Sequence, residues 1–539
     1  PLRLVGSEMC IRDRKIIYDM GGFFVEIVRK NISMNHICGR SQTQITLDDD
    51  FIVPDSKPDI LKRIADCGEV IIEGMKAGDG RASVNGKMQF SLLYQADKTG
   101  GAPDCMEGSI DFGETVGMDG LSAGDTLKCT AKLEDLSISL INGRKISVSA
   151  IVSLELYGEN TYMSSAAVDI ESGDICCLKK NIGMLSLVEN KRDILRVREQ
   201  CELSANKPNA GNILWSVPEL RNVETKAAAD ELIVRGEIHL FAMYFPEDDD
   251  ENIQYVEETL PFTGKLPLAG ADERMVADVL VVPAQKQVAV KPDYDGEPRI
   301  LEAELVLDLD IKLYEEQNIS LMTDVYSVNS RLIPVTDEAG YDNLLVRNHV
   351  RCRAGDKMKL NSSKDKILQI ISSTATVNVD NISIVEDGLM VEGAARVSIL
   401  YISDNDEDRL GSLTREVPFS QKIDAVGIDT DSFYSVRTDV EQLITTMLGG
   451  DELEIKMSIG IDTLILSPGT TQVITDITEE ALDYAVFKKL PGICGYIVKS
   501  GDTLWDVAKK YYTTVEKIMD TNKLASENIM PGLKLLITR

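Results

Sequence analysis

The segment Leu301-Glu302-Ala303-Glu304-Leu305-Val306-Leu307-Asp308-Leu309-Asp310-Ile311-Lys312-Leu313 alternates apolar and polar side chains at every position except Val306. Successive side chains of a β-strand point to opposite faces. A period of two therefore puts Leu301, Ala303, Leu305, Leu307, Leu309, Ile311 and Leu313 on one face, and Glu302, Glu304, Asp308, Asp310 and Lys312 on the other. One apolar and one wet face mean an antiparallel sheet packed on one side, in a sandwich or open barrel. Val148–Leu156 and Leu453–Ile461 repeat the pattern. The fold expected is mainly β, with three repeated antiparallel β-rich, sandwich-like domains.

Two fixed spacings carry the three-fold count. Val84-x-Gly86 is followed by Tyr94 and Phe112, Val234-x-Gly236 by Tyr244 and Phe262, and Val391-x-Gly393 by Tyr401 and Phe419. Gly to Tyr is eight positions and Tyr to Phe eighteen in all three, a periodicity that marks tandem copies of one structural unit. Each copy opens on a related segment: Lys57-Pro58-Asp59-Ile60-Leu61, Lys207-Pro208 with Ile213-Leu214, and Lys364 with Ile367-Leu368. Each Tyr runs into a polar loop (Asp97–Gly101, Glu247–Glu251, Asp404–Asp408), which is a hairpin signal. The motif Val, Tyr and Phe are expected in the core, and the Gly at a bulge or a close strand approach. The repeats are placed at 25–160, 201–316 and 357–485, with linkers at 161–200 and 317–356. Pro1–Arg14, PLRLVGSEMCIRDR, lacks an apolar signal-peptide region and is expected to be a non-native leader.

Charge narrows the partners. The 539 residues carry 88 Asp and Glu against 57 Lys and Arg, a net −31, which argues against nucleic acid and against an anionic membrane surface. Gly495–Arg539 differs, with seven basic and five acidic residues; the remaining 50 basic and 83 acidic residues give the body −33. Ten cysteines without a CxxC pair read as small core hydrophobes of a reducing compartment. No stretch of about 20 apolar residues offers a transmembrane segment.

The repeats resemble the SPOCS domain in their KPDI-type opening, their V-x-G, a strand ending in Leu-Tyr, and a later Pro-Phe. The residues concerned are Lys57-Pro58-Asp59-Ile60, Leu93-Tyr94, Pro261-Phe262 and Pro418-Phe419. Asp111 stands before Phe112 in the first repeat, and the third opening lacks the Pro. The resemblance implies a part in endospore envelope assembly, and it brings no catalytic residues with it.

The C-terminal stretch reads as a small α+β unit in the order βααβ. Tyr496-Ile497-Val498 is a short strand, and Thr503 with Asp506 forms a capping-box start. Leu504, Val507, Ala508 and Tyr511 then share one helical face. Thr513 or Thr514 opens a second helix, and Pro531-Gly532 turns the chain into a last strand. The series YIVKSGDTLWDVAKKY, Asn522 and IMPGLKLLI resembles a LysM domain at 495–539. That resemblance implies a shallow groove for N-acetylated glycans such as peptidoglycan or chitin, or for a partner protein. Its walls would be Gly501, Asp502, Thr503 and Leu504 opposite Asn528, Ile529, Met530 and Pro531, with Trp505 either stacking on a sugar or packing on the helix surface.

The sequence shows no enzyme. His36, His239 and His349 are isolated, with no metal spacing, and no phosphate loop or nucleophile elbow occurs. Asp404–Asp408 imitates the start of a calcium loop, but Arg409 and Arg415 occupy the positions of the turn Gly and the bidentate Glu. This segment, like Asp48–Asp50 and Glu247–Glu251, is expected to be a solvated hairpin tip. No catalytic residue, metal or cofactor is expected. SPOCS-type repeats followed by LysM resemble spore coat morphogenetic adaptors. This order implies a protein of the mother-cell cytoplasm at the forespore surface, docking to coat proteins such as the forespore-coating ATPase, to peptidoglycan, or to both. The alternative is a secreted or cell-wall-associated glycan binder.

Overall fold

The computed structural model describes residues 27–97, 101–170, 174–248, 252–359, 367–405, 409–448, 452–480 and 491–538. The leader expected at 1–14 and Lys364 lie outside them, as do parts of two of the acidic loops (249–251 and 406–408). Repeat one comprises β1 (Ile27–Ile52), β2 (Ile60–Gly78), β3 (Arg81–Ala96), β4 (Pro103–Gly117), β5 (Thr126–Asn142) and β6 (Lys145–Ile170). Repeat two comprises β7 (Ile175–Glu202), β8 (Ala210–Ala228), β9 (Glu231–Pro246), β10 (Gln254–Pro267), β11 (Val276–Pro292) and β12 (Pro298–Ser327). Repeat three comprises β13 (Arg331–Lys359), β14 (Ile367–Val385), β15 (Gly388–Ser403), β16 (Leu410–Asp424), β17 (Phe433–Met447) and β18 (Glu452–Glu480).

Each repeat is two three-stranded antiparallel sheets, ordered β2-β3-β4 and β1-β6-β5 in the first and likewise in the others. β2 lies alongside β5, and β4 alongside β1, so the sheets approach each other at both edges. The alternating strands line the cores as their period requires: Ile146 to Leu156 in β6, Leu301 to Leu313 in β12 and Leu453 to Ile461 in β18 bury their apolar face.

The repeat motif is a hairpin register. Val84–Tyr94, Val234–Tyr244 and Val391–Tyr401 lie in the central strands β3, β9 and β15. The motif Gly directly faces the motif Phe across the next strand pair: Gly86 with Phe112, Gly236 with Phe262, Gly393 with Phe419. A Cβ on Gly236 would stand 2.8 Å from the Phe262 ring; the corresponding distances are 2.9 Å at Gly86 and 3.0 Å at Gly393. The ring covers the space a side chain would fill. On the other neighbouring strand the pairing shifts register opposite the same Gly, between Ile72 and Gly74, Arg221 and Glu224, and Val379 and Asn381. The glycine therefore answers both a bulge and a close approach.

The motif Tyr explains the opening segment. Tyr94 donates its hydroxyl to the Pro58 carbonyl, and Tyr244 to that of Pro208, each at 3.2 Å. Arg144 and Arg299 clamp the same turns, donating to the carbonyls of Lys57 and Val53 and of Lys207 and Leu203. The structural counterpart of Ile60 in repeat two is Ala210, which opens β8, rather than Ile213.

The spans expected as linkers, 161–200 and 317–356, are strand for most of their length. The outer part of β1 pairs with β6 as far as Ile27 and Ile170, β7 with β12 as far as Ile175 and Ser327, and β13 with β18 as far as Arg331 and Glu480. These three two-stranded ribbons pack on one another. Ile32, Met34 and Ala166 meet Ile182, Met184, Ile319, Leu321 and Val473 in one cluster, and Ala167, Met322, Val325, Leu332 and Ile474 meet in a second. Ribbon burial is set by the other repeats, not by a sheet of its own, so the alternation blurs there and the segments read as linkers. The other ends of the repeats meet through Ile64, Leu93, Trp215, Phe241, Met243, Ile371 and Leu400.

The supposedly wet face of β12 is also partly enclosed. Lys312 is buried against Glu159 of repeat one, and Asp310 against the buried Lys128. Arg437 of repeat three pairs with Asp278 of repeat two, and Arg396 with Asp135 of repeat one. Asp48–Asp50 are exposed as expected, but they lie within β1 rather than at a hairpin tip.

Candidate glycan- or partner-binding site

The C-terminal unit is β19 (Ile493–Ile497), α1 (Leu504–Tyr511), α2 (Val515–Asn522) and β20 (Lys534–Thr538), with β19 and β20 antiparallel. The loop leaving β19 and the loop entering β20 therefore emerge at the same end of the ribbon. Gly532 N donates to Val498 O at 2.8 Å and Val498 N to Leu533 O at 2.9 Å, tying the two loops together. Gly501 and Gly532 both take φ of +91°, in the region that favours glycine, so each loop turns where a side chain would be strained.

Capping chemistry fixes the first loop. Thr503 caps α1, accepting from Asp506 N, while the Asp506 carboxylate accepts from Thr503 N. Asp502 accepts from the Tyr496 hydroxyl at 2.6 Å and from Lys499 N at 2.8 Å. These bonds hold the Asp502 carboxyl below its usual range, and the facing carboxylate pushes the Tyr496 phenol up to about 12. Asn522 ties the second helix to the last strand, donating to Leu536 O and accepting from Leu536 N, each at 2.7 Å. Its place in the sequence pattern is thus structural.

The nine residues expected to line the groove divide. Gly501, Thr503, Asn528, Met530 and Pro531 are exposed, Met530 at 80%. Asp502 is half-buried in its brace, and Ile529 packs on the module core. Leu504 is 2% exposed and belongs to the core with Val498, Val507, Ala508, Ile518, Leu535 and Ile537, so it does not line a groove. The first residue of a capped helix on this face points inward, which the spacing to Val507 and Ala508 already implied. Trp505 is half-buried against the ribbon tip of repeat two, where Nε1 donates to Asp324 Oδ2 at 2.8 Å. That contact crosses about 180 residues of sequence, and no local pattern signals it.

In the body a cavity of about 1240 Å³ lies where the three repeats meet. Many of the charged groups lining it pair with one another: Arg40 with Glu155, Arg221 with Glu219, and Arg347 with Asp462. His239 bonds Thr259 and Glu257, and His349 sits between Glu441 and Asp462. Among the described residues no group of three or more His, Cys, Asp or Glu is placed to hold a metal, and all nine cysteines are free. Among them also, no helix is long and apolar enough to cross a membrane.

Comparison with known proteins agrees with this division. The family profile described as "SipL, SPOCS domain" matches residues 59–141, 209–291 and 366–448, and the LysM domain profile matches 496–538. The SPOCS matches cover the second to fifth strands of each repeat, and the long outer ribbons lie outside them. The N-acetylmuramoyl-L-alanine amidase sle1 of Staphylococcus saprophyticus is 56% identical over 43 residues, 8% of this chain and 13% of that protein. The probable peptidoglycan endopeptidase LytE of Bacillus subtilis is 41% identical over 66 residues, 12% of this chain and 20% of that protein. The uncharacterized protein YkzQ of Bacillus subtilis is 51% identical over 37 residues, 7% of this chain and 49% of that protein. The chain thus spans a fifth or less of the two named enzymes. No solved structure matches it. The chain carries three SPOCS domains followed by a C-terminal LysM domain.

Proposed function

We propose that this protein is a non-enzymatic adaptor of spore envelope and coat morphogenesis, in which the three SPOCS domains are the scaffold and the LysM domain docks. The observation that carries the reading is the pairing of two unlike parts. One is a large body whose repeats are locked together by shared apolar clusters and buried ion pairs. The other is a small module that keeps Gly501, Asn528, Met530 and Pro531 exposed at one end. LysM domains support binding to peptidoglycan glycan, and the SPOCS domain is compatible with a role in sporulation. The body carries −33 and the module about +2, so the module is the part least repelled by an acidic coat protein or wall polymer. We place the protein in the mother-cell cytoplasm at the forespore surface, with coat morphogenetic proteins such as the forespore-coating ATPase as further partners.

A second reading, a cell-wall-associated glycan binder, is favoured by the relatives, two of which are named as peptidoglycan-cleaving enzymes. Co-sedimentation of the purified full chain with peptidoglycan sacculi tests the glycan-docking part of both readings. The expected result is binding that Met530→Asp weakens, with no release of soluble muropeptides. Release that heat denaturation abolishes would overturn the non-enzymatic reading.

A further inference from the structure

We infer that the tip of the β7–β12 ribbon is a dedicated seat for the LysM domain of the same chain, and that Trp505 is the pivot of this joint rather than part of the groove. Trp505 and Lys509 lie four residues apart on one face of α1 and converge on a single carboxylate. Trp505 Nε1 donates to Asp324 Oδ2 at 2.8 Å, and Lys509 Nζ donates to Asp324 Oδ1 and Oδ2 at 2.6 and 2.8 Å. Two donors on one ionised acceptor make a charge-assisted, oriented contact, stronger than a neutral pair.

Beside it the Tyr326 ring meets the Trp505 ring edge-on, with centroids 4.7 Å apart at 71°. The Tyr326 hydroxyl donates to Thr513 O at 2.9 Å. Tyr326 is 3% exposed and belongs to the same apolar cluster as the module core, with Cys176 and Val328 packed against it. A tyrosine at the end of a ribbon has no sheet of its own to cover it; here the module covers it. The charges also match, an acidic body presenting Asp324 and a basic module presenting Lys509.

While the module is seated, Gly501, Asn528, Met530 and Pro531 remain exposed. The joint therefore fixes the direction in which the module presents its loops and leaves them free, whichever ligand they take.

The test uses the full chain carrying Trp215→Phe, so that Trp505 is the one remaining tryptophan of the two. Its emission maximum and acrylamide quenching are compared with those of the same chain carrying Asp324→Ala, or Lys509→Ala on the module side. Small-angle scattering of the chain with both tryptophans, with and without the same two changes, gives an independent readout. The expected result is a red shift, a severalfold larger quenching constant and a larger maximum dimension in both variants, with the circular dichroism spectrum unchanged. Emission, quenching and dimension unchanged in both variants would overturn the inference, as would a parent chain in which Trp505 already quenches like an indole in water.

Discussion

Thr503 and Leu504 are neighbours in sequence, and the start of α1 separates their roles. Thr503 stays outside as the cap, while Leu504 turns into the core of a module of about 45 residues. Leu504→Asp should unfold that module, because a charge in so small a core costs several kcal/mol. The expected outcome is loss of its melting transition alone. Met530→Asp, at a tip that touches little, should leave the transition in place and weaken sacculus binding several-fold. The motif glycines make a complementary prediction. Gly236→Val places a branched side chain where the Phe262 ring lies 2.8 Å from the Cβ, and should cost about 2 kcal/mol in denaturant unfolding. Tyr244→Phe loses only the hydroxyl bond to Pro208 and should cost about 1 kcal/mol. Values in the opposite order would refute the hairpin-register account of the motif.

At the scale of the element, strands whose faces are covered by their own domain were legible, and strands whose faces are covered by another domain were not. β12 shows both in one strand: Leu301–Leu313 alternates cleanly over the core of repeat two, whereas beyond it Ile319, Leu321 and Met322 pack on neighbouring ribbons and the period fades. The LysM helices are legible because caps and helical spacing are local, while the packing partner of Trp505 is not, because it lies on β12. The polar side chains of β13, β17 and β18 give a pH prediction. Burial beside Asp462 and Glu441 pushes the Asp439 carboxyl up to about 6. Its folded pKa lies above the unfolded one, so the cost of holding it charged appears as pH rises from about 4 and is complete above about 6. Burial lowers the pKa of His349, but hydrogen bonds to Glu441 and Asp462 outweigh it and raise the imidazole overall. The stability His349 contributes is present below its ordinary value and fades as pH rises through the raised one. Asp439 thus makes repeat three more stable near pH 4 than above pH 6, and His349 makes it more stable near pH 6 than near pH 8. Asp439→Asn should therefore raise stability by up to about 3 kcal/mol at pH 8 and leave it nearly unchanged at pH 4. An equal effect at both pH values would contradict the assignment.

At the scale of the whole molecule, the three repeats are joined by apolar clusters at both ends and by ion pairs between them. Among the described residues the most enclosed pair is Lys312–Glu159, from repeats two and one. Glu159→Gln alone should cost about 3–5 kcal/mol, because it leaves a buried ammonium without its partner. Adding Lys312→Met should recover most of that loss, so a double-mutant cycle by denaturant unfolding reads the coupling directly. Additive single effects would place the two side chains apart. The division of labour between body and module is tested by deleting residues 495–539 from a fluorescent fusion in sporulating cells, with thermal melts of the same purified chain. The expected result is a fusion that no longer concentrates at the forespore, with repeats that melt as they do in the full chain. Normal forespore localisation after the deletion would contradict it and move the docking function to the SPOCS repeats.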